Sequence, residues 1–152
     1  MNDPLWFAPA VHFLNLLLAA LTAGAMFGFW LSHNPAGLSP AVYVAQQQNG
    51  IRALNVKMPL LGGFTVLLTF GAAVLARGDG TRFGLLLAAG CCFLAAGLIT
   101  RFLNQPINAI VMTWSPEAPP PNWDQLRDTW WRWHLVRTAG GIVGLSLLIV
   151  AR

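Results

Sequence analysis

Long uncharged apolar runs alternate along this chain with short polar segments. From Leu5 to Leu31, LWFAPAVHFLNLLLAALTAGAMFGFWL holds no Asp, Glu, Lys or Arg. A membrane-spanning helix needs about 20 mostly apolar residues, so this run predicts a first span with room to tilt. Trp6 and Trp30 lie near its ends, where interfacial aromatics gather. SHNPAGLSP then breaks the helix with Pro and Gly. AVYVAQQQNGIRALNVK is polar and reads as an interfacial helix leading into a second span, Met58 to Ala76, where Pro59 suits a helix start. RGDGTR, Arg77 to Arg82, predicts a tight hairpin, and Phe83 to Thr100 is a third uncharged run. The prolines of SPEAPPPNW rule out a continuous helix between Arg101 and Trp133. Thr138 to Ala151 is too short to cross alone and reaches membrane length only if Trp130 to Arg137 is added.

The predicted spans are therefore about 7–32, 58–76, 83–103 and 130–151, in a single domain covering 1–152. Helices in lipid must satisfy their backbones internally, so the expected fold is all-α, an integral membrane up-down four-helix bundle. Gly140, Gly141 and Gly144 would let helices approach closely.

Composition agrees. The chain is 56% hydrophobic and 9% charged, against about 25% charged in soluble domains, and its mean hydropathy is +0.58. The net charge of +4 comes from scattered Lys and Arg; they mark membrane boundaries and make no nucleic-acid footprint. The N-terminus lacks a basic n-region and its apolar stretch is too long for a cleavable signal, so that stretch reads as a retained helix. The expected location is a plasma membrane of the bacterial inner-membrane type. Cys91 and Cys92 are vicinal in an apolar run and read as packed thiols.

Four crossings put the two termini and RGDGTR on one side. That side carries Asp3, Arg77, Arg82 and Arg152 and little else, and leans cytoplasmic. The other side holds His33, Gln46 to Asn49, Arg52, Asn55, Lys57, Arg101, Asn104, Asn108, Trp123, Arg127, His134 and Arg137. Function is expected on this richer side.

Two constellations there carry candidate chemistry. In RFLNQPIN, Asn104 and Asn108 are four apart, on one helical face, with Pro106 implying a kinked or ending helix. Their carboxamides either bind a polar substrate or hydrogen-bond carbonyls freed by the break. In NWDQLRDTWWRWHLVR, the residues Arg127, Trp130, His134 and Arg137 fall at helical spacings and form one stripe. Imidazole exchanges a proton near neutrality, a guanidinium stabilises an oxyanion, and an indole offers a stacking face. Trp131, Arg132 and Trp133 lie off the stripe and read as an interfacial anchor. His33 ends the first helix on the same side and can approach His134, while His12 reads as a buried, hydrogen-bonded histidine. Arg101 and Lys57 adjoin uncharged spans, where snorkelling is the default. Neither metal-ligand spacing, a phosphate loop nor a nucleophile elbow is present.

NQPIN followed by Trp123, Arg127, Trp130, His134 and Arg137, with Met58-Pro59 opening the second span, resembles the anthrone-oxygenase-like family of small four-helix membrane proteins. The resemblance covers most of the chain in hydropathy, and its specific part runs from Asn104 to Arg137. It implies oxidation of a polyketide anthrone to an anthraquinone by O₂ without a metal or flavin cofactor. His134 would then be the base; Arg137, Asn104 and Asn108 would stabilise the enolate; Trp130 would line an aromatic pocket. Arg127, His33, Arg101, Trp123 and Asn55 complete the candidate substrate-binding set. The expected partners are the lipid bilayer, a lipophilic aromatic molecule and O₂, with no nucleic acid and with a homo-oligomer open. A non-catalytic binding protein or accessory subunit holding a quinone, lipid or haem is the rival reading.

Overall fold

The structure, a computed structural model, describes residues 7–151 and is all-α. Trp6, expected at the membrane interface, and Asp3 and Arg152, counted with the sparer side, lie outside the described residues. Helices α1 (Ala8–Ser32), α2 (Pro40–Leu54), α3 (Lys57–Leu75) and α4 (Gly80–Ile99) are followed by a π-turn (Thr100–Asn104). The π-turn leads without a break into α5 (Gln105–Val111), and α6 (Trp123–Val150) completes the chain. Among the described residues four helices are long and apolar enough to cross a membrane: α1, α3, the continuous Gly80–Val111 and α6. The chain is an integral membrane protein.

In the bundle, α3 sits between α1 and α4, and α6 closes the ring by packing on both α4 and α1. Large apolar side chains face outward, Phe13, Leu67 and Val150 among them, because lipid solvates them as well as a core would. The helices meet instead through small residues, with Ala19, Ala72, Ala73 and Ala89 fully or nearly fully buried around Leu86, Phe93 and Leu148. Buried polar side chains add two α1–α3 links: Thr69 donates to Asn15 Oδ1 at 2.9 Å, and the Thr22 and Thr65 hydroxyls lie 2.8 Å apart.

Three boundaries differ from those expected. The hairpin after α3 is tighter than RGDGTR suggested, because Asp79 caps α4 by accepting from the Arg82 backbone N–H at 3.1 Å, so the helix already begins at Gly80. The third span runs past residue 103. Pro106 cannot donate to the carbonyl four residues back and would clash with it. The chain absorbs this in the π-turn just before, where Gln105 N–H reaches back five residues to Thr100 O, and Pro106 then sits in the first turn of α5. The fourth helix starts at Trp123, seven residues ahead of the expected start at Trp130. Only 112–122, with the prolines, is non-helical between the last two spans.

These extensions position the site. At 1.5 Å per residue α6 is about 42 Å long, against a hydrocarbon core of about 30 Å. Its N-terminal turns and α5 therefore project on the same side, where α2 packs against α5. Gln48 fastens that cap: its Nε2 donates to the Val111 and Trp114 carbonyls at 3.0 and 2.8 Å, satisfying acceptors left open where α5 ends.

Two glycines of α6 set the interhelical spacing. A Cβ on Gly144 would lie 3.0 Å from the Phe93 ring of α4, and one on Gly141 would collide with Met26 of α1. Gly144→Leu should therefore cost about 1–3 kcal/mol by overpacking. A thermal melt in detergent should show a clear loss, whereas an unchanged midpoint would mean that α4 and α6 are not closely packed there.

Candidate functional site

The richer end holds an aromatic-walled pair of basic side chains. His134 has 0% exposure. Trp130, one turn earlier, stacks on it with ring centroids 5.2 Å apart and 5° between planes. Trp131 stacks at 5.4 Å, and Phe29 of α1 meets it edge-on at 5.2 Å. Trp131 is thus part of the site's wall, although off the stripe; of the expected anchor, Arg132 is exposed and Trp133 half-buried.

Arg137 supplies the hydrogen bonds. Its Nε and Nη2 donate to His134 Nδ1 at 3.2 and 3.0 Å, and its Nη1 donates to Thr100 Oγ1 at 2.9 Å. Thr100 can accept because its own proton goes to Ala96 O at 2.8 Å. A guanidinium cannot accept, so Nδ1 presents its lone pair to Arg137 and the neutral ring carries its proton on Nε2. Nε2 has no hydrogen-bond partner among the described residues.

Among the described residues no carboxylate balances Arg137, and the one salt bridge is Arg127–Asp128 at 2.8 Å. The chain's five acidic residues, Asp3, Asp79, Glu117, Asp124 and Asp128, all fall outside the uncharged runs. Arg137 keeps part of its surface open, and it lines two adjoining cavities. One, of about 70 Å³, is polar-edged, with Gln47, Asn55, Gln105 and Asn108 beside Trp130 and His134. The other, of about 380 Å³, is largely apolar and lies between α3 and α4. The imidazole, with no exposed surface, stands behind the guanidinium.

The remaining expected residues divide. Asn108 and Asn55 line the smaller cavity, and Asn108 Oδ1 accepts from Gln47 Nε2 at 3.4 Å. Arg101 is exposed at the edge of the larger one and donates to Gln105 at 3.3 Å. Asn104 faces neither cavity; it is buried, and its Nδ2 donates to the Trp130 carbonyl at 3.0 Å, tying the π-turn to α6. Arg127 turns from the stripe to Asp128 and lies 4.7 Å over the Trp123 ring. His33 does not meet His134: Phe29 lies between them, stacked on His33 at 4.0 Å, and Ser32 holds His33 Nδ1 at 2.6 Å. Among the described residues no three His, Cys, Asp or Glu side chains gather as a metal site.

Sequence reading gave no site role to Thr100, Gln105, Phe29 or Met26, and named Gln47 only within the polar run of the richer side. Thr100 carried a signal, since it continues the Asn104–Asn108 spacing one turn back; the others approach only through tertiary packing.

Geometry alone defines a class: a four-helix membrane protein with an arginine-clamped histidine beside a lipid-level cavity. Residues 51–147 match the family described as anthrone oxygenase, and the chain belongs to that family. Comparison with curated proteins and with solved structures gives no match.

Two measurements check this geometry. Asn104→Ala should lower stability by about 1 kcal/mol through the lost link to Trp130, while Asn108→Ala stays within about 0.5 kcal/mol; equal effects in detergent melts would contradict the assignment. Tyr43, the chain's one tyrosine, is buried against Trp123, and its hydroxyl has no hydrogen-bond partner. Burial pushes its phenol from 10.0 up to about 12, with Arg127 opposing. The folded state thus holds this proton more tightly than the unfolded state, so the contribution to stability is full below pH 10 and is lost as pH rises towards about 12. Phenolate absorbance should titrate near 12 in the folded protein; a midpoint at 10 would mean that α2 does not cover Tyr43.

Proposed function

We propose that the protein is a membrane-embedded oxygenase for an anthrone-like or phenolic lipophilic compound, acting by proton abstraction and direct reaction with O₂. The observation that carries this reading is a guanidinium with no carboxylate among the described residues, open to a cavity and backed by a neutral imidazole whose lone pair it occupies. The family to which the chain belongs, described as anthrone oxygenase, supports an oxygenase role.

In the resting arrangement Arg137 masks His134 Nδ1. A carbonyl or enol oxygen arriving in the cavity competes for those N–H donors. As it takes them, Nδ1 is released and becomes a base beside the carbon acid. It removes one proton from the substrate methylene, and the electron pair moves into an enolate whose oxygen stays on Arg137. The enolate carbon then forms a bond to O₂ while its electrons reduce the oxygen. The proton returns from His134 to give a hydroperoxide, which loses water to leave a carbonyl. One methylene and one O₂ thus become one carbonyl and one water, with no further reductant. Stacked Trp130 and half-enclosing Phe29 keep water from the enolate.

Under this reading, His134→Ala reduces anthrone-dependent O₂ uptake to the protein-free rate, and Arg137→Gln lowers it about 10²–10³-fold, as for loss of an oxyanion donor. Oxygen-electrode traces with purified protein in nanodiscs, each variant first shown to melt cooperatively, provide the check. Wild-type uptake equal to that of empty nanodiscs would leave a binding protein as the surviving reading, and undiminished uptake in His134→Ala would remove His134 from the chemistry.

A further inference from the structure

The cavity between α3 and α4 is larger than the space around His134 and has a different character. One wall is Gly62, Gly63, Val66 and Leu67 of α3; the facing wall is Phe93, Leu94, Ala96 and Gly97 of α4. Thr22 and Met26 of α1 form its floor. Its outer rim is lipid-facing, with Leu67 70% and Leu94 41% exposed. From Pro59 to Leu67 the α3 wall runs about 12 Å at 1.5 Å per residue.

The emptiness of this cleft is encoded in three glycines. A Cβ built on Gly62, Gly63 or Gly97 would meet nothing within 4 Å, unlike those on Gly141 and Gly144, where neighbours crowd in. Glycines at packed positions bring helices together; these three instead keep a slot open on the bilayer side. The slot borders the smaller cavity, and Met26, Met58, Pro59, Thr100, Gln105 and Arg137 line both. The two thioethers at this junction are unbranched and adaptable, suited to yielding as a ligand passes. At the junction stands Arg137, a cation with no carboxylate partner among the described residues.

We infer that the α3–α4 cleft is a lateral port from the bilayer, taking a flat lipophilic enol or phenol whose apolar body lies along Gly62, Gly63 and Gly97 and whose hydroxyl oxygen pairs with Arg137. The occupant is set by charge complementarity. An acyl chain fills the apolar slot but leaves the guanidinium without an anion. A weak acid crosses lipid in its neutral form and gives up its proton where the cation waits. This port rests on the proposed reading only in taking the ligand to be an ionisable enol or phenol.

The test uses the whole protein in phosphatidylcholine vesicles and a bilayer-dissolved photoreactive probe, 4-octylphenol with a diazirine in its chain, beside its O-methyl ether. Adducts are mapped by peptide mass spectrometry. Wild type should label mainly within 59–67 and 93–101, and the ether, which cannot ionise, should label those segments about fivefold less, a difference worth about 1 kcal/mol. The double variant Gly62→Leu/Gly97→Leu fills the slot and should lose the same adducts, while Gly71→Leu, on the exposed face of α3 outside the cleft, should label as wild type. Adducts spread evenly over the lipid-facing helices, equal labelling by the ether, or undiminished labelling of the double variant would each overturn the port; the first two readouts need no variant to fold. Absent anthrone turnover with the labelling pattern intact would sink the oxygenase reading and leave the port standing. Normal turnover with even labelling would do the reverse.

Discussion

The structure is organised around one unbalanced charge. Arg137 lies within a membrane-crossing helix, and among the described residues no acid reaches it. A cation at such depth is costly, and it is tolerated when it faces the protein interior and finds hydrogen-bond acceptors. Here the acceptors are neutral: the lone pair of His134 and the hydroxyl oxygen of Thr100. They satisfy the guanidinium's geometry without cancelling its charge, so the site retains a preference for an anionic oxygen. That is what a reaction passing through an enolate requires, and a salt bridge at this position would have removed it.

Holding that arrangement takes most of the richer end of the bundle. His134 is fixed by stacking on Trp130, and the Trp130 backbone is fixed by Asn104 from the π-turn. The π-turn itself follows from Pro106, and it leaves Thr100, its first residue, facing Arg137. Beyond it, α5 ends under the Gln48 side chain, and Asn108 is met by Gln47. The proline, the two asparagines and the glutamine pair thus form one support running from the aqueous cap to the guanidinium. The opposite end of the bundle, rich in buried alanine, serves as the frame.

Much of this was legible in the sequence because membrane helices announce themselves by length and absence of charge. The stripe Trp130–His134–Arg137 was legible too, since helical periodicity survives any tertiary arrangement. What stayed hidden depended on rotamers and on pairings between distant segments. Arg127 shares the stripe's spacing yet turns to Asp128 and Trp123 at the aqueous end. Asn104 has the same side chain as Asn108, but the π-turn rotates it towards a backbone carbonyl and away from the cavity. His33 is near His134 in space, and only the position of Phe29 separates them. The glycines followed opposite logic: 141 and 144 meet a neighbouring helix, whereas 62, 63 and 97 border open space, and nothing in local sequence tells the two sets apart.

The chain has three histidines, so the state of His134 can be read directly by ¹⁵N NMR of histidine-labelled protein in nanodiscs, with His12 and His33 assigned by substitution. The expected spectrum shows a neutral ring at His134 with its proton on Nε2 and an unprotonated Nδ1, and a bilayer-dissolved phenol should shift the Nδ1 resonance as Arg137 is drawn away. A proton on Nδ1, or an imidazolium at neutral pH, would contradict the arginine clamp and with it the proposed reaction centre.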